Sequence, residues 1–365
     1  MVFHSSLLLN CLPIHHDRVH DSGVSFFSRS GEEISFDSMK GDSYSICVTG
    51  VTGKGKTFCV KKLLSYELQE GRGVFIIDPK EDYLKFTLLN NFRIIEKDIN
   101  PMIFKDDIYF RDIILSKIPV RERTKKWDGM LLKAIRSTEC YKEDDFFKAL
   151  ALLERNGFSE LEYYFEELKG RISTKKEDIT DRVYVLSSSF TSESLSFLLS
   201  FAFEYLKRMN KPHKFVVDEA HRVFKHDPIF LEERVREMRV KNSGLIPITQ
   251  SYNDLIQTNF GQVVADNCHH KLFFQQSLKG SLGLDEFDEA AINSLAFVKD
   301  SYSECYYKTP INRKVMRICP SLRELELYRS GEEEQKRFLS YVRDKMQYFT
   351  MDEAINQYVR DKYAQ

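Results

Sequence analysis

The sequence contains no apolar run that approaches the ~20 residues of a membrane-spanning helix. Its first residues, MVFHSSLLLNCLPIHHDR, lack the basic stretch that opens a secretory signal peptide. Neither a long Gly/Ser linker nor an internal repeat or low-complexity tract interrupts the chain. These absences predict a globular protein, and any membrane contact would come through its partners.

An excess of charge of one sign is missing as well. The chain has 54 basic and 55 acidic residues, which leaves a formal net charge of −1. No bulk positive field therefore draws the protein toward nucleic acid or anionic lipid. Any contact with DNA would have to be local.

Cysteine is sparse, and its spacing excludes two classes of protein. The seven cysteines are scattered, odd in number and free of CxxC spacing, which argues against a disulfide framework or a zinc site. A reducing cytoplasm fits this pattern best. The pairs His15-His16 and His269-His270 do not suggest a metal site, because adjacent side chains point in different directions on a helix or a strand.

What the chain does contain is a phosphate-loop pattern. GVTGKGKT (50–57) has the Gly-x4-Gly-Lys-Thr spacing of a Walker A motif, in which a glycine-rich turn points backbone N–H groups at phosphates. SYSICVTG (43–50) predicts a buried strand entering the loop, and FCVKKLLSYELQE (58–70) predicts a helix leaving it. This context favours a nucleotide site over a chance match on a surface turn.

The predicted cofactors are ATP and Mg²⁺. Lys56 and Thr57 fall at a helix N-terminus, where free N–H groups and the positive end of the helix dipole favour a triphosphate. The Thr57 hydroxyl can ligate the magnesium. The predicted nucleotide-binding residues of the loop are Gly50, Val51, Thr52, Gly53, Lys54, Gly55, Lys56 and Thr57.

The pattern of elements predicts an α/β fold. GRGVFIIDPKEDY (71–83) supplies a second strand, so that the loop belongs to a βαβ unit of a parallel sheet. Further strands are predicted in 182–189, 214–220, 244–250 and 270–277, with helices at 192–210 and 231–243. We expect a RecA-like P-loop NTPase core with a mainly parallel central sheet flanked by helices.

Three segments are predicted along the chain. Residues 1–40 form an N-terminal lead-in, and residues 41–330 form the ATPase core. Long amphipathic stretches with few β-branched runs predict an all-helical insertion in this core at about 101–180. Residues 331–365 form a charged helical tail with solvated faces.

A second motif supplies carboxylates. FVVDE (215–219) places Asp218 at the carboxyl end of an apolar strand and Glu219 directly after it. Since the carboxyl ends of parallel strands share one edge of the sheet, these acids can reach the Thr57 side of the loop. Asp218 would order the water shell of the metal, and Glu219 would polarise the attacking water. The plainer interpretation is a pair of acids that cap a strand end.

Other strand ends add candidates. ITQS (248–251) ends a strand at Gln250, whose amide could sense the γ-phosphate or orient water. Asp78, Glu81 and Asp82 follow the second strand and could hydrogen-bond to the water or to Lys56; the alternative is an acidic surface loop.

A helix predicted further along the chain carries two arginines. ERVREMRVK (233–241) puts Arg236 and Arg239 on one helix face. Ring ATPases often use an arginine from a neighbouring subunit to neutralise charge in the transition state. The alternative is a solvated basic face.

VVDEAH (216–221) also spells a DEAH box and so raises a superfamily 2 helicase as a rival. The long stretch between the two motifs exceeds what one helicase core normally inserts, and no QxxGRxGR-type motif follows. Both observations disfavour the rival.

Several ordered motifs together resemble a more specific family. GVTGKGKT, FIIDPKEDY, a helical insertion, FVVDEAH and RVKNSGLIPITQS are similar to the ATPase domain of TraC-type conjugation ATPases. These are cytoplasmic motors of type IV secretion systems, in the HerA/FtsK-like branch of P-loop proteins. The resemblance covers residues from about 7 to 330.

This resemblance implies roles for individual residues. It places Lys56 and Thr57 on phosphate and magnesium, and it makes Asp218 and Glu219 the Walker B pair. Gln250 becomes the sensor, and Asp82 falls where the family commonly has an acid. Arg239 falls on the arginine of an Arg-Lys pair, with Val240 in place of the lysine.

The resemblance also implies a homo-hexamer that works with inner-membrane components of a type IV secretion system and with its coupling ATPase. The location would be the cytoplasm, peripheral at the inner membrane through partners. Family members usually carry several hundred residues ahead of the loop, whereas this chain has about fifty. An excised C-terminal domain, a split gene product and a relict all remain open.

Three functions are compatible with these motifs. The first is an ATP-hydrolysing motor that energises substrate transfer or the assembly of a pilus or channel. The second is a HerA/FtsK-like DNA translocase, which the near-neutral charge disfavours because phosphate tracking needs a basic pore lining. The third is a scaffold subunit that binds ATP and hydrolyses it weakly.

Overall fold

The structure is a computed structural model. It describes residues 23–95, 100–118, 125–170, 172, 180–186, 198, 201–205, 208–209, 211–224, 235 and 237–364. The predicted lead-in before residue 23, most of the helix predicted at 192–210, and Arg236 lie outside the described residues.

Twelve strands of the described chain form one sheet. In chain order they are β1 (Val24–Phe27), β2 (Glu33–Phe36), β3 (Ile46–Thr49), β4 (Gly73–Asp78), β5 (Arg93–Ile95), β6 (Arg182–Leu186), β7 (His213–Val217), β8 (Gly244–Thr249), β9 (His270–Phe274), β10 (Phe297–Val298), β11 (Tyr302–Lys308) and β12 (Arg313–Ile318).

Seven of these strands are parallel and make the centre of the fold, in the order β5-β6-β4-β7-β8-β3-β9. Every residue of β3, β4, β7 and β8 is buried. Strands buried along their whole length are typical of a parallel sheet covered on both faces. The order places β8 between the strand that enters the phosphate loop, β3, and the strand that precedes the predicted acids, β7.

An antiparallel extension continues the sheet from β9 through β11, β12, β1 and β2, and β10 pairs with β11. From the sequence, no strand is predicted after residue 277, and only a lead-in is predicted before residue 41. The structure therefore adds a second, antiparallel part to the mainly parallel sheet.

The numbered α-helices of the described chain are α1 (Lys56–Gln69), α2 (Leu84–Leu89), α3 (Asp107–Lys117), α4 (Lys125–Thr138), α5 (Phe146–Arg155), α6 (Leu161–Tyr164), α7 (Ala220–Val223), α8 (Tyr252–Ile256), α9 (Asn259–Asn267), α10 (Glu286–Asn293), α11 (Leu322–Tyr328), α12 (Glu332–Lys345) and α13 (Met351–Tyr363). Short 3₁₀ turns cover Pro101–Phe104, Cys140–Lys142 and Glu166–Leu168.

Helices α3 to α6 lie within the range predicted as the insertion. Their apolar faces bury residues such as Ile113, Leu131 and Leu150, which belong to the same hydrophobic cluster as Phe215 and Val217 of β7. This helical region therefore packs on the face of the sheet and shares its core. Burial of these side chains is the main stabilising contribution here, at about 25 cal/mol per Å² of apolar surface.

Helix α13 packs on both α12 and α11, and α11 also contacts α1 and α2. Two buried lysines hold the end of α11. Lys61 of α1 donates a hydrogen bond to the carbonyl oxygen of Tyr328 (3.0 Å), and Lys85 of α2 donates one to that of Glu326. The unpaired carbonyl groups at a helix C-terminus are favourable partners for cations. In the described part of the chain, no helix combines the length and apolar content of a membrane span.

Candidate nucleotide-binding site

The glycine-rich loop connects β3 to α1, as its pattern predicts. Gly50, Gly53 and Gly55 have φ angles of 148°, 77° and 97°, a region that residues with a Cβ atom rarely adopt. The close packing of the loop adds a second requirement, since a Cβ atom on Gly50 would lie 2.5 Å from the Cβ of Phe274. Glycine is therefore needed at this position for both backbone conformation and space.

Backbone hydrogen bonds fix the start of this loop to the neighbouring strand ends. The N–H of Gly50 donates to the carbonyl oxygen of Thr249 (3.3 Å), and the N–H of Val51 donates to that of Gln275 (3.0 Å). Helix α1 begins at Lys56 without a side-chain cap. The N–H groups of its first turn consequently have no capping side chain, and such groups are suited to bind an anion.

Lys56 is 9% exposed and folds back on the loop. Its ammonium group donates hydrogen bonds to the carbonyl oxygens of Gly50 and of Val51, the latter at 3.1 Å. Burial lowers the pKa of Lys56, while the nearby carboxylates of Asp218 and Glu219 act in the opposite direction. The lysine thus feels the charge of both acids, although they lie far away in the sequence.

Asp218 follows the last residue of β7 and is 6% exposed. One of its carboxylate oxygens accepts a hydrogen bond from the N–H of Glu219 (2.8 Å). Burial, together with the nearby carboxylate of Asp78, raises the pKa of Asp218 to about 7. A carboxylate that is buried beside other acids is stabilised by a bound cation.

Glu219 is 5% exposed and has a left-handed backbone conformation, with φ 50° and ψ 43°. Its carboxylate accepts hydrogen bonds from Lys80 and from the amide of Gln250 (3.1 Å), and it lies 3.4 Å from Nδ1 of His221. Burial acts to raise the pKa of Glu219, but the bonds from Lys80 and Gln250 outweigh it and leave the pKa below its usual value. Glu219 is therefore ionised at neutral pH.

A cavity of about 470 Å³ joins the loop to these acids, a size in the range of small-molecule sites. This arrangement agrees with the prediction that the phosphate loop and the acids at 218 and 219 meet at one edge of the sheet. The predicted site residues that line the cavity are Thr52, Gly53, Gly55, Lys56, Thr57, Asp82, Asp218 and Glu219.

The cavity suits a magnesium nucleotide. Thr57 and Asp218 both line it, and the raised pKa of Asp218 reflects its burial and, after that, the nearby carboxylate of Asp78, so a bound cation would stabilise the ionised form. In the described part of the chain, no group of three or more His, Cys, Asp or Glu side chains could hold a metal alone. Magnesium fits such a site, because it keeps several waters and takes only one or two protein carboxylates besides substrate phosphates.

The remaining predicted residues differ in position. Gln250 contacts Glu219, and Asp82 lines the cavity, where burial and the nearby Asp78 raise its pKa. Asp78 itself accepts hydrogen bonds from backbone N–H groups and from the hydroxyl of Tyr184 (3.0 Å), so it holds the turn after β4 together.

Arg239 is not brought to this cavity. Its guanidinium lies 4.0 Å from Asp42, which precedes β3, and it lines a different cavity with His269, which precedes β9. Arg239 therefore lies at the opposite edge of the sheet from the phosphate loop. Any contribution of Arg239 to this kind of site would have to be made to a neighbouring chain.

Two features of the site were missed in the sequence. Lys80 belongs to the FIIDPKEDY motif, yet nothing in that motif predicts its contact with Glu219. The far part of the cavity is formed by the β10–β11 hairpin and by residues 328–331 and Glu334. The sequence predicts only the end of the core and a solvated tail there. A signal was present in the adjacent apolar residues Phe297 and Val298.

Among α/β proteins, a glycine-rich loop between a central parallel strand and a helix, facing acids on the second strand along, defines the P-loop NTPases. The chain is a nucleotide-binding protein of this class with a RecA-like core. A family model described as the central domain of the helicase HerA matches residues 25–218, more than half of the chain. The chain belongs to this family.

Solved structures share the fold. VirB4 of Thermoanaerobacter pseudethanolicus matches with a TM-score of 0.62 and 20% identity, over 84% of this chain and 99% of that one. The plasmid coupling protein TrwB in complex with the GTP analogue GDPNP matches with a TM-score of 0.53 and 14% identity, over 83% and 90%. TrwB in complex with ADP and Mg²⁺ matches with the same TM-score and identity, over 83% and 89%.

The comparison with curated proteins gave no match. The predicted fold class is confirmed by the structural matches. The predicted resemblance to HerA/FtsK-like ATPases is confirmed by the family model, and the VirB4 match agrees with it in fold.

Proposed function

We propose that the protein is a magnesium-dependent ATPase that acts as a motor of a conjugative or type IV secretion system. Its hydrolysis would energise substrate transfer or the assembly of a pilus or channel. The observation that carries the proposal is the cavity shared by Lys56 of the phosphate loop and by Glu219, an ionised carboxylate held by Lys80 and Gln250. The fold likeness to VirB4 supports the choice of system.

We assign separate roles to the residues of the cavity in binding phosphate, in binding the metal and in activating water. The ammonium group of Lys56 would exchange the carbonyl oxygens of Gly50 and Val51 for phosphate oxygens, and Thr57 and Asp218 would hold the metal. Bound magnesium neutralises charge on the β- and γ-phosphates. Glu219 would accept the proton of the attacking water.

Gln250 would complete this arrangement. Its amide already donates to the carboxylate of Glu219 (3.1 Å), so it can orient both the base and a water beside the γ-phosphate. We further propose a homo-hexamer that works with inner-membrane secretion components and a coupling ATPase, in the cytoplasm and peripheral to the inner membrane. In such a ring, Arg239 could act on the nucleotide site of a neighbouring subunit.

The test separates binding from turnover. Glu219→Gln should bind ATP with normal affinity and lose at least about 10²-fold in phosphate release, because the base is gone while the phosphate contacts remain. Lys56→Ala should lose binding itself. Normal turnover by Glu219→Gln would contradict the assignment of the base, and binding without turnover by the unaltered protein would indicate a scaffold.

The family match supports a second candidate, a DNA translocase, because the family model is described as the central domain of a helicase. Phosphate release measured with and without duplex DNA distinguishes the two. Stimulation by DNA favours the translocase, whereas turnover independent of DNA favours the secretion motor.

A further inference from the structure

The cavity that contains the phosphate loop continues well beyond it, between two walls. One wall is the β10–β11 hairpin, and we call it the hairpin wall; it carries Phe297, Val298 and Tyr302. The other, the C-terminal wall, follows β12 and carries Pro320, Leu325 and Tyr328. Triphosphate and metal would occupy the loop end, so the space between these apolar walls is left for another part of the ligand.

The hairpin wall is attached to the phosphate loop itself. The hydroxyl of Ser303 donates a hydrogen bond to the carbonyl oxygen of Lys54 (2.7 Å), and Phe297 pairs with Ser303 across the antiparallel ladder. The ammonium group of Lys54 lies 5.5 Å from the centroid of the Phe297 ring. Phe297 is therefore held next to the loop, although 36% of it is exposed.

An ion pair links the two walls. The guanidinium of Arg329 donates to the carboxylate of Asp300 in the hairpin turn at 2.6 Å and to that of Glu334 at 3.2 Å. Neighbouring polar groups of the C-terminal wall are paired too. The hydroxyl of Tyr328 donates to Ser65 (2.8 Å), and the hydroxyl of Ser330 accepts from Lys61 (2.9 Å).

We propose that the space between the hairpin wall and the C-terminal wall is the subsite for the base and ribose of a nucleoside triphosphate. This inference rests on the proposed function. Phe297 supplies an aromatic face beside the phosphate loop, and the apolar residues of both walls exclude water from the base. Aromatic side chains bind nucleobases by stacking, which tolerates different bases because each has a π-face.

The pairing of Tyr328, Arg329 and Ser330 predicts how selective this subsite is. Polar groups that already bond to other protein groups are not available to read the edge of a base. Because these three residues of the C-terminal wall are paired in this way, we expect stacking to contribute most to recognition and ATP and GTP to bind within a few-fold of each other. A triphosphate without a base should bind much more weakly than either nucleotide.

The test compares ligands with and without a base on the full chain. Isothermal titration with Mg-ATP, Mg-GTP and Mg-tripolyphosphate is run on the unaltered protein, on Phe297→Ala and on Phe297→Trp. Phe297→Ala should weaken both nucleotides by about fivefold or more and leave tripolyphosphate unchanged. Phe297→Trp, which keeps an aromatic face, should retain nucleotide affinity.

A spectroscopic readout reports stacking directly. Fluorescence of 1,N6-etheno-ATP should be quenched by the unaltered protein and by Phe297→Trp, and the quenching should be reduced with Phe297→Ala. Phe287→Ala removes another exposed phenylalanine, on α10 and away from this cavity, and should behave as the unaltered protein.

The outcomes separate this inference from the proposed function. If Phe297→Ala binds Mg-ATP as tightly as the unaltered protein, or weakens tripolyphosphate to the same degree, the base subsite is wrong while the nucleotide site stands. If the unaltered protein binds neither nucleotide nor tripolyphosphate, the proposed function itself fails.

Discussion

Gly55 of the phosphate loop lies directly against Ser303 of the antiparallel extension. A Cβ atom on Gly55 would come within 2.6 Å of the Ser303 hydroxyl oxygen, which donates a hydrogen bond to the carbonyl oxygen of Lys54. The hairpin of β10 and β11 therefore supports the loop, and the fold around the loop depends on a strand that comes nearly 250 residues later in the chain.

The first prediction concerns this contact. Gly55→Ala should lower the free energy of unfolding of the nucleotide-free protein by more than the ~1–2 kcal/mol of a left-handed backbone alone. Gly53→Ala is the matched control, because Gly53 also has a positive φ but has no atom near its missing Cβ. Urea unfolding of both variants measures the difference.

The same contact predicts a rescue. Removing the Ser303 side chain makes room for the Cβ, so Ser303→Gly should restore part of the stability lost in Gly55→Ala. The four proteins form a double-mutant cycle, which should give a coupling energy of at least about 0.5 kcal/mol. Strictly additive effects would show that the two residues do not constrain each other.

Magnesium dependence is the second prediction, and it concerns Asp218. Chelation of magnesium should abolish phosphate release by the unaltered protein. Asp218→Asn removes the carboxylate that we propose to hold the metal, so magnesium should no longer increase the affinity for ATP, a loss of about tenfold or more. Titrations in magnesium and in EDTA measure this ratio.

The control for this experiment is Asp254→Asn, a change of the same type at an exposed position on α8. It should keep the full response to magnesium. An Asp218→Asn protein that also kept the full response would remove Asp218 from the metal site and leave Thr57 as its remaining predicted ligand.

Stability should depend on pH through Lys85, and this is the third prediction. Burial lowers the pKa of Lys85 to about 7; Lys61 and Arg329 act in the same direction, and Glu326 and Glu334 oppose it. Below pH 7 the lysine is charged in both the folded and the unfolded chain. Between pH 7 and the usual lysine pKa, the unfolded chain binds a proton that the folded chain does not, so stability rises with pH.

Lys85→Met isolates this effect. The free energy of unfolding of the unaltered protein, relative to that of Lys85→Met, should increase from pH 7 to pH 9 by at most about 1.4 kcal/mol per pH unit. Lys133→Met, at an exposed position on α4, should show no such change relative to the unaltered protein. A pH-independent difference for Lys85→Met would mean that the buried lysine keeps its proton.

The sequence predicts the parts of the site whose signals are local. The strand, loop and helix around Lys56 are contiguous, and each carries its own pattern. The acids at 218 and 219 follow an apolar run, and parallel strands bring their carboxyl ends to one edge of the sheet. The positions of both motifs could therefore be predicted without any knowledge of the intervening residues.

The antiparallel extension could not be predicted in the same way. Strand β12 reads RKVMRI, in which the apolar residues Val315 and Met316 are adjacent, so its sequence lacks a strict alternation of polar and apolar residues. The short segments of this extension mix polar and apolar residues, and they form strands because they pair with neighbouring strands. Strand β12, for example, pairs with β11 and β1. The contact of Lys80 with Glu219 likewise joins residues 139 positions apart, and only the fold decides which acid meets which base.

Charged helices mislead for a related reason. The segment after residue 330 was predicted as a solvated tail, yet Glu334 and Gly331 line the nucleotide cavity, and α12 and α13 bury their own small cluster around Phe338. Charge composition describes the exposed face of such helices. It does not report which partner covers the other face.

The last prediction concerns Arg239, which lies at the far edge of the sheet from the phosphate loop. If it acts on the site of a neighbouring subunit, Arg239→Ala should bind ATP normally and lose about 10³-fold in hydrolysis. Mixing it with Lys56→Ala, which keeps the arginine but binds no ATP, should restore part of the activity, because each chain supplies what the other lacks. Phosphate release against the mixing ratio, at constant total protein, measures this. Arg343→Ala, at an exposed position on α12, is the control. Normal hydrolysis by Arg239→Ala would indicate that this arginine has no catalytic role and is a solvated surface residue.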